Sequence, residues 1–184
     1  MPILVINEIL ADPHPDFGDA NGDGIVNAQQ DEFIEIVNSS GAAVDLSGWL
    51  LWDALGVRHT FLAGTTIGDQ CAIIVFGGGT PSGSFGGSLV QIASGGSLGL
   101  NNDSDTISLR TPGSVIFTDY SYGLEGGDDQ SLTRSPDITG GEPLIKHGAA
   151  PGSNNSLFSP GTRLDGIPFP GCGGYWSGYY PLEK

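Results

Sequence analysis

Oxygen-bearing side chains recur at alternate positions in the segment DANGDGIVNAQQD, residues 19–31. Asp19, Asn21 and Asp23 occupy positions 1, 3 and 5 of a calcium-binding loop, and Gly24 occupies position 6, where the sharp turn requires a residue without Cβ. Calcium binds about six to eight oxygen atoms, and alternate spacing lets a short loop supply several of them. The segment therefore predicts a calcium site of the EF-hand type.

The second half of the loop departs from the EF-hand pattern. The carbonyl of Ile25 falls at position 7 and Asn27 at position 9, but position 12 holds a glutamine where a bidentate carboxylate belongs. Asp31 follows one residue later and is the predicted closing ligand, with Glu32 and Asp16 as alternatives. The sequence EFIEIVN then reads as a strand and not as the usual helix, and a strand tolerates this one-residue slip.

Short runs of β-branched and aromatic residues recur along the chain between turn-forming residues. ILVINEIL (3–10) and EFIEIVN (32–38) flank the predicted calcium loop, residues 16–32. CAIIVFG (71–77) is nearly all apolar, which is typical of a strand buried on both faces. Hairpins are predicted for GWLLWD with VRHTF and for DTISLRT with SVIFTDY. No segment shows a helical stripe, so we expect an all-β fold of about eight or nine strands.

Composition and charge restrict the class of protein. A chain of 184 residues with 31 glycines and 12 prolines fits one β-rich domain. Six basic residues stand against 21 acidic ones, and the net charge of −15 favours cations and disfavours nucleic acid. No apolar run is long enough to cross a membrane. We therefore expect neither a nucleic-acid partner nor membrane insertion.

Cys71 and Cys172 are the two cysteines of the chain. They predict a disulfide that closes a loop of about 100 residues and contributes about 4 kcal/mol in the chain-entropy description; two buried thiols are the alternative. A disulfide together with a calcium loop favours an extracellular or cell-surface location. Because no signal peptide is present, we expect a mature chain from which the signal has been removed.

The strands around the loop resemble the lamin tail domain family. The resemblance lies in VINEIL, an acidic insertion and DEFIEIVNSSGAAVDLSGWLLWD, with further similarity in HTFLAGTTIGDQCAIIV, SLTRSPD and FSPGT, and covers about residues 3–162. It implies an immunoglobulin-like β-sandwich of the secreted bacterial branch, with a calcium loop between the first two strands. It supplies no catalytic motif, so we expect no enzymatic activity. Residues 1–163 would form the domain, and residues 164–184 a Gly/aromatic tail.

The predicted function is that of an extracellular calcium-binding structural or adhesive module. In the tail, Trp176, Tyr179 and Tyr180 are candidate interface residues, because exposed aromatic rings are costly to leave in water. The expected partner is another copy of the chain, in an oligomer or filament, or a surface protein or polysaccharide. The alternative is a carbohydrate- or substrate-binding accessory domain of a larger secreted hydrolase or nuclease, in which these aromatics would stack on sugar rings.

Polar or large residues in several of the predicted strands allow further expectations. Glu8 and Glu35 lie in otherwise apolar strands, and a buried charge needs a partner, so we expect one of them to pair with Arg134. Trp49 and Trp52 should face opposite sides of one strand, one toward the core and the other toward a contact surface. N-x-S sequons begin at Asn38, Asn102 and Asn154.

Overall fold

The computed structural model describes residues 4–172, which form two packed β-sheets and a small third sheet. The strands are β1 (Leu4–Leu10), β2 (Phe33–Asn38), β3 (Val44–Asp45), β4 (Leu50–Trp52), β5 (Val57–Thr60), β6 (Thr66–Ile67), β7 (Ala72–Phe76), β8 (Leu89–Ile92), β9 (Asp105–Arg110), β10 (Ile116–Tyr122), β11 (Leu132–Thr133) and β12 (Ile145–Lys146). Helical structure within the described part is confined to three short 3-10 turns. The expectation of an all-β fold is confirmed.

The strands are arranged in three sheets. The larger sheet has the order β12-β11-β1-β2-β7-β8, in which β7 and β8 pair in parallel and the other pairs are antiparallel. The smaller sheet has the order β10-β9-β4-β5, and β3 pairs with β6. Both predicted hairpins are present, as β4–β5 and β9–β10. In the region 4–172, no helix is long and apolar enough to cross a bilayer.

The six-stranded sheet is covered on both faces. Apolar side chains of β1, β2 and β7 meet those of β4, β9 and β10 in the main core, as Ile36, Leu51 and Leu109 illustrate. On the other face, Phe33 and Phe76 form a second apolar cluster with Leu10, Ala20 and Ile74. Every residue of β7 is buried, as its apolar run predicted. Burial of each large side chain contributes about 1.5–3 kcal/mol.

The last described residues are joined covalently to the residue that precedes β7. Cys71 and Cys172 form the predicted disulfide, with a Cα–Cα distance of 4.6 Å. Phe169 is fully buried in the main core. A Cβ on Gly171 would lie 1.8 Å from the carbonyl oxygen of Asp69, so only glycine permits this approach. The candidate interface residues Trp176, Tyr179 and Tyr180 lie outside the described residues.

Candidate calcium-binding loop

The predicted calcium loop connects β1 to β2 and folds on itself through short side-chain bonds. Asp19 Oδ2 accepts a hydrogen bond from the Gly24 amide at 3.0 Å, Asn21 Oδ1 from the Asp23 amide at 3.0 Å, and Asp23 Oδ1 from the Ile25 amide at 2.9 Å. These bonds hold the side chains of positions 1, 3 and 5 against the same turn. Gly24 has a φ of 87°, a conformation that side chains with Cβ disfavour.

Asp31 connects the two halves of the loop. Its Oδ1 accepts from the Asn21 amide at 3.1 Å and its Oδ2 from the Asn27 amide at 2.7 Å, although the residue is fully buried. Burial raises the pKa of Asp31 above its ordinary value; the backbone bonds lower it, and the charges of Asp19 and Asp23 raise it further. Repulsion among these carboxylates is what a bound cation would relieve.

The other predicted ligands lie in different settings. The carboxylate of Glu32 turns away and accepts from the amides of Gly99 and Leu100 at 2.9 and 3.3 Å. Asp16 is exposed at the start of the loop. Asn27 Oδ1 accepts from the backbone amides of Gln29 and Gln30, at 3.0 and 3.1 Å, and so caps the turn leading to Asp31. Of the three acidic candidates for closing the loop, Asp31 is the one bonded to the loop backbone.

The loop packs against the turn after β7, residues 77–82. The Thr80 amide donates to Asp23 Oδ2 at 3.0 Å, and the Ser82 amide donates to the Asn21 carbonyl at 2.8 Å. A Cβ on Gly79 would lie 2.4 Å from Asn21 Nδ2 and 2.6 Å from Asp23 Oδ2. The position of the loop side chains is therefore coupled to the turn that follows β7.

One oxygen of the loop has no donor. Asp19 Oδ1 is buried and accepts no hydrogen bond, and leaving such a group unsatisfied costs about 1–3 kcal/mol or more. No three His, Cys, Asp or Glu side chains between residues 4 and 172 converge as a metal-ligating group by themselves. A cation in this loop would therefore also need the amide oxygen of Asn21 and the carbonyl of Ile25. Such an all-oxygen set suits calcium better than a transition metal.

Two buried glutamates lie next to each other in the larger sheet, where Glu8 of β1 faces Glu35 of β2. Glu8 Oε1 accepts from Ser131 Oγ at 2.6 Å and from the Ser159 amide at 2.9 Å, and its Oε2 accepts from Ser159 Oγ at 2.8 Å. The buried His147 ring lies 4.0 Å from Glu8. Burial raises the pKa of Glu8, and His147 opposes that rise.

Glu35 is bonded at both carboxylate oxygens. Its Oε1 accepts from Asn7 Nδ2 at 2.9 Å and its Oε2 from the Gly161 amide at 2.7 Å. Burial raises the pKa of Glu35 well above its ordinary value, and the neighbouring glutamate adds to the rise. Arg134 pairs instead with Glu142 at 2.9 Å. The predicted pairing of either buried glutamate with Arg134 is wrong, because Asn7 of β1 and donors from the segment after β10 satisfy them.

The two tryptophans lie on opposite sides, as predicted. Trp49 packs half-buried against the main core and makes an edge-to-face contact with Phe117 at 5.2 Å. Trp52 lies on the outer face of the smaller sheet, with the Arg110 guanidinium 4.2 Å from its ring centroid.

Of the sequon residues, Asn38 is buried and its amide donates to two backbone carbonyls, so the folded chain does not present it for glycosylation.

Comparison with known families accounts for this architecture. A family model described as Lamin Tail Domain matches residues 2–124, which contain β1 through β10 together with the loop between β1 and β2. No curated protein matches the chain. The family consists of non-catalytic structural domains. The match covers more than half of the sequence, and the observed fold is a sandwich of β-sheets. The chain belongs to the lamin tail domain family.

Proposed function

We propose that this chain is a non-enzymatic structural or adhesive module of an extracellular compartment and that calcium stabilises its fold. The observation that carries the proposal is the loop 19–31, in which the side chains of Asp19, Asp23 and Asp31 bond to the loop backbone while Asp19 Oδ1 lacks a donor. The disulfide supports an oxidising compartment. The net charge of −15 supports attraction of cations.

Calcium would act on the loop that connects β1 to β2. Its ligands would be the side chains of Asp19, Asn21, Asp23 and Asp31 and the carbonyl of Ile25, and Asn27 would contribute through water, as position 9 often does. The ion would neutralise the aspartates and fix the loop against the turn after β7. At about millimolar calcium and a dissociation constant near 10⁻⁵ M, binding adds about 2.7 kcal/mol to the free energy of unfolding.

Thermal unfolding in calcium and in EDTA tests the proposal. The melting temperature should fall by about 5–10 °C when calcium is removed. Asp19→Asn keeps the shape of the side chain but should abolish most of this difference, whereas Asp16→Asn, which removes an exposed charge next to the loop, should preserve it. A melting temperature that is the same in calcium and in EDTA would show that calcium does not stabilise the fold.

Contact through the tail is the second part of the proposal. Trp176, Tyr179 and Tyr180 would contact another copy of the chain, in an oligomer or filament, or a surface polymer. Support comes from their aromatic character and from the disulfide at Cys172, which holds the point from which the tail continues. A head-to-tail contact of this kind would extend into a filament when its rotation does not close a ring.

A further inference from the structure

Two of the six basic residues of this acidic chain line the same cavity. Arg134 and Arg163 border a space of about 640 Å³ between the loop after β11 and the segment leading to Cys172. Elsewhere in the described chain, Arg58 and Lys146 each pair with an aspartate, and Arg110 stacks over an indole ring. The volume lies in the range of small-molecule sites. Two guanidinium groups therefore border one concave place, and each also has an acidic neighbour, Glu142 for Arg134 and Asp165 for Arg163.

The two guanidinium groups differ in how far the protein satisfies them. Arg134 is fixed by bonds from Nε to the Ile6 carbonyl and from Nη1 to the Gly140 carbonyl, both at 2.8 Å, and its Nη2 donates to the half-exposed carboxylate of Glu142. Arg163 Nε is buried and has no hydrogen-bond partner, and its Nη2 lies 3.5 Å from Asp165. An unmade bond of a charged donor is costly, and a carboxylate can satisfy two guanidinium N–H groups at once.

The walls of the cavity are held in place by bonds of the protein itself. The Ile138 amide donates to Asn7 Oδ1 at 2.8 Å, and a Cβ on Gly140 would lie 2.5 Å from the Ser135 amide nitrogen, so this turn is tightly closed. Asp137 also borders the cavity, but its two oxygens accept from Asn7 and from the Leu164 amide, at 3.3 and 3.1 Å. Its carboxylate is therefore already occupied within the protein.

We infer that this cavity binds a small hydroxylated carboxylate of the uronic acid type. The carboxylate accepts from Arg163 and competes with Glu142 for Arg134. The sugar ring packs against the apolar surfaces of Pro136 and Pro170, and its hydroxyl groups bond to polar lining residues such as Gln70 and Thr139. This site is separate from the calcium loop, so it does not depend on the proposed role of calcium.

Calorimetric titration with glucuronate, and with glucose as the neutral counterpart, tests the inference. Glucuronate should bind with a dissociation constant of about 1 mM, and glucose should not bind at about 10 mM. Arg163→Gln should weaken glucuronate binding at least about tenfold, because a charged hydrogen bond is lost. Lys146→Gln makes the same change of net charge away from the cavity and should leave binding unchanged. Circular dichroism confirms that both variants are folded.

Salt dependence and polymer probes complete the test. Because the whole chain is negative, added salt should leave glucuronate binding unchanged or strengthen it, the reverse of adsorption to a basic surface. A glucuronate-terminated oligosaccharide that binds more tightly than the free acid would identify a polymer end as the ligand, and equal affinity would identify the free acid. Absence of glucuronate binding at about 10 mM, equal binding of glucose, or full binding by Arg163→Gln would overturn the inference.

Discussion

Two groups of carboxylates in this protein handle negative charge in different ways. Glu8 and Glu35 are completely buried, and every carboxylate oxygen of the pair accepts a hydrogen bond from the chain itself. In the loop between β1 and β2, Asp19, Asp23 and Asp31 also approach one another, but Asp19 Oδ1 is buried without a donor. The first group is complete within the protein, whereas the second lacks a positive partner.

This difference indicates which group of carboxylates a bound cation can stabilise. In the glutamate pair every oxygen already has a donor, so no oxygen remains that a cation would satisfy. A loop that holds its oxygens together and leaves one unsatisfied gains from a cation directly. Calcium should therefore affect the loop and leave the glutamate pair unchanged.

Removal of Glu8 should produce the largest effect. Glu8→Ala removes the buried carboxylate that accepts from the Ser159 amide and from the hydroxyls of Ser131 and Ser159, so the free energy of unfolding should fall by about 3–5 kcal/mol. Urea denaturation should give the same loss in calcium and in EDTA. Asp119→Ala, which removes an exposed carboxylate, should change stability by less than about 0.5 kcal/mol. A loss at Glu8 that depends on calcium would contradict the separation of the two groups.

Glu32 should make stability depend on pH. Burial raises its pKa to about 7 from an ordinary value of 4.5, despite the bonds from the amides of Gly99 and Leu100. Between these pH values the folded chain holds a proton that the unfolded chain has lost, so stability should fall as pH rises, by up to about 3 kcal/mol. Glu32→Gln cannot ionise and should flatten this part of the curve. Parallel urea midpoints for the two proteins at pH 5 and pH 8 would contradict the assignment.

A matched pair of glycines tests the packing of the loop against β7. Gly79 and Gly64 both have positive φ, of 77° and 83°, but only the first approaches loop side chains, while nothing lies within 4 Å of a Cβ on the second. Gly64→Ala should therefore cost about 1 kcal/mol for its backbone, and Gly79→Ala about 1–3 kcal/mol more. Calcium affinity, measured by calorimetry, should fall only in Gly79→Ala. Equal losses in both variants would show that the contact has no role.

Deletion of residues 174–184 should have the smallest effect on stability and the clearest effect on mass. The melting temperature should remain within about 2 °C of that of the full chain, because the buried Phe169 and the disulfide are retained. Light scattering at about millimolar calcium should show assembly for the full chain and none for the shortened one. If the full chain is monomeric at high concentration, assembly through the tail is wrong.

Local features of this fold could be predicted from the sequence, whereas the partners of its buried charges could not. The hairpins β4–β5 and β9–β10 depend on residues close in sequence, and the apolar run of β7 reports burial directly. Glu8, in contrast, receives its donors from Ser131 and Ser159, more than 120 residues away. One of these donors is a backbone amide, which every residue type except proline carries, so no pattern of side chains could indicate it.

The loop between β1 and β2 is intermediate between the features that could be predicted from the sequence and those that could not. Alternate oxygen side chains and a glycine at position 6 are local signals, and the structure holds Asp19, Asn21 and Asp23 on one turn. The different settings of Asp31 and Glu32 became visible only in the structure, because adjacent residues of an extended segment point to opposite sides. Asp31 bonds to the loop, and Glu32 bonds to the amides before β9. Asp31 and Glu32 are adjacent in sequence, yet one carboxylate belongs to the loop and the other bonds outside it.

The Cys71–Cys172 bond also determines how the molecule would respond to mechanical force. A pull applied beyond Cys172 passes through the disulfide to Cys71, which directly precedes the buried strand β7. The intervening segment, with a sequence separation of 101, then carries no tension, and roughly 330–360 Å of contour length is withheld from extension. The covalent bond would thus make the C-terminal attachment of this domain short and stiff under load, and reduction would convert it into a long tether.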